Sequence, residues 1–307
     1  MSLIKNIWIL IIALLLQMDL LAQQLPQFSQ YMYNTISINP AYAGSREFMV
    51  INILNRNQWI GVKGGPITQT FSAHTSLPQT KFGVGLSLIN DQLGYEKTTY
   101  AYADISYTIN LNYFEEYKLA FGLKVGASKY DIDSDLLNDP LYSDDLFLNT
   151  INYNWYPNIG AGLYFRGENF YLGISTPKLF SYKQNNEYVY IERVSYFLNG
   201  GYLIDINKHL KFKPTFLVKY TDGAPLSFDI SSLFYFNKKL WLGASYRFSD
   251  SFGFIANFKI NENLSLGYSF DYTTSILGDF TSGSHEFMIN YEFEFPKPRC
   301  KCKDLYN

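Results

Sequence analysis

From residue 48 onward the chain alternates apolar side chains with small or polar ones. In the stretch 118–128, Leu119 and Phe121 fall on one face, whereas Gly122 and Lys124 fall on the other. A period of two residues predicts β-strands, because successive side chains of a strand point to opposite faces of the sheet. No helical stripe at positions i, i+3, i+4 and i+7 follows the first 22 residues. The alternation recurs in 251–260, 264–272 and 285–295.

The alternating segments predict fourteen strands, most of them about ten residues long. A strand that crosses a bilayer needs about 9–11 residues, whereas strands of globular proteins average about five or six. The sequence therefore predicts an all-β fold, a closed antiparallel transmembrane β-barrel. The predicted strands lie near 48–59, 68–75, 82–90, 98–108, 117–130, 154–165, 169–177, 193–206, 210–221, 227–236, 240–249, 251–260, 264–272 and 284–295.

The predicted connections differ in length between the two ends of the barrel. Those after odd-numbered strands include the three longest, 131–153, 178–192 and 273–283. Those after even-numbered strands are short, such as 166–168 and 261–263. Bacterial outer-membrane barrels have short periplasmic turns and longer extracellular loops. The sequence therefore predicts a cell outer-membrane location, with both termini in the periplasm.

A soluble β-sandwich is the alternative fold, since its strands would also alternate. Its exposed face would be rich in Lys, Glu and Thr, whereas here the face opposite the aromatic side chains is mainly Gly, Ser and Ala with scattered charges. In a membrane barrel one face meets lipid and the other meets the lumen. The composition of the two faces favours the barrel.

The first 22 residues have the pattern of a secretory signal peptide. Lys5 precedes an apolar run of about ten residues from Ile7 to Leu16, and Ala22 is the expected last residue before cleavage. An uncleaved anchor is the alternative, but the run is short for a membrane-spanning helix. We therefore divide the chain into a signal peptide (1–22), a plug-like, periplasmic N-terminal segment (23–47), the barrel (48–295) and a periplasmic basic tail with cysteines (296–307).

The N-terminal segment does not alternate like a strand. Its Asn and Pro residues and Gly44 favour turns, yet Phe28, Tyr31, Tyr33 and Tyr42 are too many aromatic side chains for a solvated tail. We expect the segment to pack in the barrel lumen or at its periplasmic mouth, with Phe28 and Tyr31 as anchors.

Many inward positions of the predicted strands are glycine, which leaves room in the lumen for this segment or for a guest chain. Relief of strand curvature is the alternative role for these residues. They are Gly83, Gly85, Gly122, Gly126, Gly160, Gly162, Gly173 and Gly267.

The N-terminal segment also carries a recognisable motif. Residues 26–34 read P-x-F-S-Q-Y-x-x-N and residues 39–44 read N-P-A-Y-A-G. This strongly resembles the start of the PorP/SprF family, outer-membrane proteins of the type IX secretion and gliding-motility system. The partner-binding candidates in the motif are Pro26, Phe28, Ser29, Gln30, Tyr31, Asn34, Asn39, Pro40, Ala41, Tyr42 and Gly44.

The resemblance implies a barrel in the outer-membrane bilayer that performs no chemistry. It would work with other type IX secretion components, some of them periplasmic, to deliver, receive or anchor a secreted surface protein such as a gliding adhesin. The C-terminal domain of that secreted protein would be the part that is recognised.

Composition and residue placement give no sign of an enzyme or of a nucleic-acid-binding protein. The formal net charge is −2, which offers no attraction for nucleic acid. His74, His209 and His285 fall on distant parts of the predicted barrel, so they cannot converge on one catalytic site. No phosphate-binding glycine motif occurs. We expect no enzymatic activity and no cofactor.

A weak calcium candidate lies in the connection after the fifth predicted strand. Asp131, Asp133 and Asp135 resemble the start of a calcium loop. However, Leu136 stands where such a loop has glycine, and Tyr142 stands at its twelfth position in place of glutamate. Solvated charge on an outer connection is the favoured interpretation over a metal site.

Cys300 and Cys302 lie in the tail, beside four basic residues. The periplasm is oxidising, so pairing with another chain is one role for these thiols. Docking of a partner on the basic strip is a second role. Zinc is a weak third, because two thiolates are only half of a structural site.

A solute channel is the alternative function. A porin lumen usually carries facing rows of acidic and basic residues, whereas the inward charges here are sparse, which favours a guest chain over an ion path. A reconstituted protein with an occupied lumen should conduct poorly. The inward charges are Lys124, Lys213, Lys219, Asp229 and Asp271.

Overall fold

A computed structural model describes residues 26–46, 48–114, 116–132, 155–182 and 193–293. No helix in this described part is long and apolar enough to cross a membrane. Its helical elements are short 3-10 turns at Thr35–Ser37, Pro40–Tyr42 and Ile276–Phe280. The β-segments are β1 Met49–Asn57, β2 Ile67–Ser76, β3 Phe82–Leu93, β4 Glu96–Asn110, β5 Lys118–Ile132, β6 Trp155–Arg166, β7 Phe170–Thr176, β8 Ser195–Tyr202, β9 Ile204–Asn207, β10 Leu210–Thr221, β11 Ser227–Phe236, β12 Leu240–Arg247, β13 Ser251–Lys259, β14 Leu264–Thr273 and β15 Ser284–Phe293.

The segments form one antiparallel sheet that closes on itself. Neighbours along the chain are neighbours in the sheet, and β1 pairs with β15 to complete the ring. β8 and β9 are separated only by Leu203 and both pair with β10, so together they fill one strand position. The closed barrel thus has fourteen positions, and the predicted fold class is confirmed.

The two ends of the barrel differ in their connections. β1 begins and β15 ends at the same end, where Met49 pairs with Phe293. We call this the short-connection end, because turns such as 167–169 and 237–239 lie there. The opposite, long-connection end carries 58–66 and 274–283.

β3 and β4 extend further than their alternation predicts. Leu93 still pairs with Glu96 and Gln92 with Lys97, so only Gly94 and Tyr95 remain in the turn between the two strands. The polar residues 91, 92, 96 and 97 interrupt the apolar alternation in the sequence, although the backbone ladder continues through them.

The outward face of the barrel is apolar and the inward face is buried. Leu123 and Val125 point outward and are 59% and 57% exposed, whereas Lys124 between them points inward and is fully buried. The same contrast holds in β15, where Phe287 is exposed and Glu286 is buried. An apolar outer band around a closed barrel is what contact with lipid requires.

Candidate functional site: the occupied lumen

The described part of the N-terminal segment, residues 26–46, lies inside the barrel. Its apolar side chains form three buried clusters with inward side chains of the wall. Because the segment has no strand partner, its backbone polar groups need partners from its own turns and from the wall. Two 3-10 turns, Thr35–Ser37 and Pro40–Tyr42, satisfy part of that need.

Two aromatic side chains anchor the first half of the segment. Phe28 packs against Leu54 of β1 and Met288 of β15. Tyr31 is 2% exposed in the largest cluster, and its hydroxyl is hydrogen-bonded to Thr215 of β10 at 3.0 Å.

A buried charged cluster holds the backbone beside these anchors. The backbone N–H groups of Ser29 and Gln30 donate to the two carboxylate oxygens of Glu286 at 3.0 and 2.9 Å. The Ser29 hydroxyl donates to Asp271 at 2.5 Å and accepts from Arg56 at 2.9 Å. Arg56 pairs with Asp271 at 2.8 Å and with Glu286 at 3.1 Å. The carboxylates are thus bound by both the wall and the segment.

The wall also supplies hydrogen bonds to the middle of the segment. The Asn34 amide donates to Thr70 at 3.2 Å and accepts from Ser72 at 2.8 Å. Lys124 donates to the carbonyl oxygen of Ile36 at 3.2 Å while pairing with Asp104 at 2.8 Å. These bonds satisfy polar groups that would otherwise be buried unpaired.

The turn at Asn39 and Pro40 lies directly on the wall. The Asn39 side chain accepts from the backbone N–H of Ala41 at 2.9 Å and donates to the carbonyl oxygen of Leu163 at 3.0 Å. Pro40 opens the second 3-10 turn, where its missing N–H costs nothing. A Cβ on Gly122 would overlap the backbone of Pro40 and Ala41. A glycine at position 122 of the wall is therefore needed for the turn to pack this closely against β5.

Gly44 ends the passage through the lumen. Its φ of +67° is in the left-handed region that favours glycine. A Cβ there would lie 2.6 Å from the Cα of Gly83, so the backbones of segment and wall meet without side chains between them.

Most of the inward glycines adjoin the segment. Gly83, Gly85, Gly122, Gly162, Gly173 and Gly267 each face a segment atom, so a Cβ on any of them would press on it. Two others do not: Gly126 faces Tyr102 of the wall, and Gly160 lies against Pro177. The close approach of the segment accounts for six of the eight inward glycines.

The lumen carries more charge than the sequence analysis expected. Five inward charges were predicted as a sparse set, but the described residues add Arg56, Asp104, Arg247 and Glu286 as buried members of ion pairs. The prediction was wrong because each of these charges lies at one inward position of an ordinary alternating strand, so no local signal distinguishes it in the sequence. Sparse charge therefore does not argue against a channel, whereas occupation of the lumen by the segment does.

The remaining candidates do not form a common site. His74 is buried beside Tyr42, with ring centroids 5.1 Å apart, whereas His285 is hydrogen-bonded to Tyr268 at 2.8 Å. His209 lies exposed between β9 and β10. Asp131 pairs with Lys129 at 2.8 Å. Asp133, Asp135, Cys300, Cys302 and the expected signal peptide lie outside the described residues.

The structure brings the eleven motif candidates from Pro26 to Gly44 into one lumen, and most of them are buried there. The hydrogen bonds and apolar contacts described above join these residues to the barrel wall of the same chain. The wall residues that hold them, among them Arg56, Glu286, Thr70 and Ser72, were missed as site residues. The alternation marked these positions as inward, but nothing local marked them as contacts of the segment.

Among the solved structures to which this chain is similar are three outer-membrane or transport proteins. The toluene transporter TodX of P. putida has 9% identity and a TM-score of 0.48, over 86% of this chain and 94% of its own. Omp33 of Acinetobacter baumannii has 10% identity and a TM-score of 0.44, over 81% and 98%. The NanC porin has 8% identity and a TM-score of 0.43, over 80% and 100%. These likenesses carry no argument about function.

Comparison with protein families is more specific. No curated protein matches the chain, but the family model described as type IX secretion system membrane protein PorP/SprF matches residues 20–291. The match spans the motif and nearly the whole barrel, which confirms the resemblance and the outer-membrane location. This chain belongs to the PorP/SprF family of type IX secretion membrane proteins.

Proposed function

We propose that this chain is a non-enzymatic component of type IX secretion that receives, helps export or anchors a secreted cell-surface protein, such as a gliding adhesin. Its partner is the C-terminal domain of that secreted protein, and other secretion components, some periplasmic, contact the barrel as well. Family membership gives the secretion system, and the specific role in handling cargo is our proposal.

Occupation of the lumen is the observation that carries the proposal. The two clusters that contain its anchors, Phe28 and Tyr31, also include inward side chains of β1, β8, β10, β11, β13 and β15. A barrel filled by its own chain is suited to binding a partner at its mouths and connections rather than to conducting solutes. Phe28 and Tyr31 then act indirectly, by holding the segment in the form that supports the binding surface.

Catalysis is not part of the proposed role. Within the described residues, no group of three or more His, Cys, Asp or Glu side chains is arranged to hold a metal ion. The buried carboxylates Glu286 and Asp271 are committed to Arg56 and to the segment. Their arrangement serves to fix a chain in place.

Deletion of the gene, followed by complementation, tests the proposal. Loss of the protein should remove one or more type IX cargo proteins from the cell surface while leaving total outer-membrane protein unchanged. Quantitative mass spectrometry of the shaved cell surface and of the culture fluid measures this. Unchanged surface and secreted proteins, together with a changed solute permeability, would overturn the proposal in favour of the channel.

Complementation with segment variants tests whether the occupied lumen matters. Phe28→Ala with Tyr31→Ala should leave a heat-modifiable barrel in the outer membrane but reduce display of the cargo. The matched control is Tyr113→Ala with Phe114→Ala, which removes the same two residue types from an exposed connection. Normal display by the Phe28/Tyr31 variant would place the partner surface on the barrel exterior alone.

A further inference from the structure

The start of the described segment lies at the long-connection end of the lumen. The Gln27 amide donates to the hydroxyl of Ser227, the first residue of β11, at 3.2 Å. Ser29 is held by Arg56, near the end of β1, and by Glu286, near the beginning of β15. These wall residues adjoin the connections 222–226, 58–66 and 274–283.

The end of the segment lies at the opposite mouth. Ser106 donates to the carbonyl oxygen of Ala43 at 2.6 Å. Gly44 meets Gly83 and Ser76, which flank the short connection 77–81. In the β1–β2 pairing Val50 lies opposite His74, so Ser76 is at the level of residue 48, eight residues or about 26 Å from Arg56 along β1, at about 3.3 Å per residue. The segment therefore crosses the lumen once, and β1 then crosses back through the membrane.

We infer that the described segment begins at the cell-surface mouth of the barrel, so that Pro26 is reached from outside the cell. The long-connection end of an outer-membrane barrel faces outward. A chain arriving at Pro26 from the periplasm would have to pass the whole lumen beside the packed segment. Phe28, Tyr31, Ile38 and Ala41 are buried in three clusters with side chains of the wall, so a second pass of the chain through the lumen would displace those contacts.

This inference departs from the periplasmic placement expected for the segment from its sequence. It assigns Pro26 and the first residue of β1, Met49, to opposite sides of the membrane. The inference concerns the path of the chain and does not depend on the proposed function.

Cysteine accessibility on whole cells tests the inference. In a Cys300→Ser, Cys302→Ser background, one variant carries Leu25→Cys next to the described segment. Ile276→Cys, at an 85% exposed position between β14 and β15, is the control for the long-connection end. Asn261→Cys, in the exposed turn between β13 and β14, is the control for the short-connection end. A membrane-impermeant maleimide is added before or after the outer membrane is opened.

We expect Leu25→Cys to label on intact cells like Ile276→Cys, whereas Asn261→Cys labels only after the membrane is opened. Labelling of Leu25→Cys only in opened cells, as for Asn261→Cys, overturns the inference. A second variant carries a flexible epitope of about 20 residues between Gln24 and Leu25, which reaches about 25 Å. Antibody binding to intact cells supports the inference, and binding only to opened cells contradicts it. Heat-modifiable migration shows that each barrel is folded.

Discussion

Removal of the two aromatic anchors should release the N-terminal segment and open the lumen. Phe28 and Tyr31 are changed together to Ala. Phe28 packs between Leu54 and Met288, and Tyr31 lies in a separate cluster. The change leaves the segment's polar contacts in place, so the effect on docking comes from the lost apolar packing and from one hydrogen bond.

The magnitude follows from the burial of the two side chains. Truncation of a buried Phe to Ala costs about 3–5 kcal/mol. The Tyr31 change removes similar packing and a hydrogen bond to Thr215 worth about 1 kcal/mol. Because the side chains lie in different clusters, the costs should add to at least about 6 kcal/mol. That is about four powers of ten in the docking equilibrium.

Such a loss should exceed the net free energy of docking. Ordering the segment costs about 1–2 kcal/mol for each residue, so its docked state is a small difference between large opposing terms. The wall should survive, because every strand is paired with two neighbours around the closed ring. The expected product is a folded barrel with a vacated lumen.

Conductance in planar bilayers measures the outcome. The wild type should conduct poorly, whereas the double variant should give larger and longer channel openings. The two proteins are compared at equal amounts of folded barrel, as judged by heat-modifiable migration on gels. The control Tyr113→Ala with Phe114→Ala should behave like the wild type, since these side chains are 94% and 78% exposed. Equal conductance of the Phe28/Tyr31 variant and the wild type would refute the reasoning. Large stable currents from the wild type would favour a channel function.

Three further changes test the contacts that hold the segment. Gly122→Ala should lower the unfolding midpoint in urea, because its Cβ would overlap the backbone of Ala41, whereas Gly200→Ala, whose Cβ meets mainly the Phe216 ring, should cost less. Arg56→Met should lower the free energy of unfolding by about 3–5 kcal/mol, because it removes the ion-pair partner of two buried carboxylates. The control Lys211→Met removes one partner of an exposed ion pair with Asp205 and should have little effect. Equal losses of stability in the two variants would contradict the role of burial. Tyr31→Phe, which removes the hydrogen bond to Thr215 and keeps the ring, should lower the free energy of unfolding by about 1 kcal/mol.

The sequence was sufficient to predict the barrel because its strand signal is local and repeated. Alternation in stretches such as 118–128 directly reflects one face in lipid and one in the lumen. Strand ends were harder to predict, since the ladder of β3 and β4 continues through the polar residues Asp91, Gln92, Glu96 and Lys97 at the long-connection end. A backbone hydrogen bond does not depend on which side chain the residue carries.

The lumen contacts were predicted only in kind. Four aromatic residues without alternation indicated a packed segment, but its partners are far away in sequence, as with Ser29 and Glu286. Alternation identifies the inward face of a strand but does not fix how far each strand is shifted along its neighbours. That shift is set by the register of all fourteen positions, and it decides which inward charged side chains form ion pairs.

The position of the charged cluster links the segment to closure of the ring. Arg56 and Glu286 face each other across the pairing of β1 with β15, which closes the barrel, and both bind Ser29. The cluster that contains Tyr31 includes side chains of strands on other sides of the lumen, namely β8, β10, β11 and β13. The cluster that fixes Ser29 is therefore complete only when the first and last strands have met.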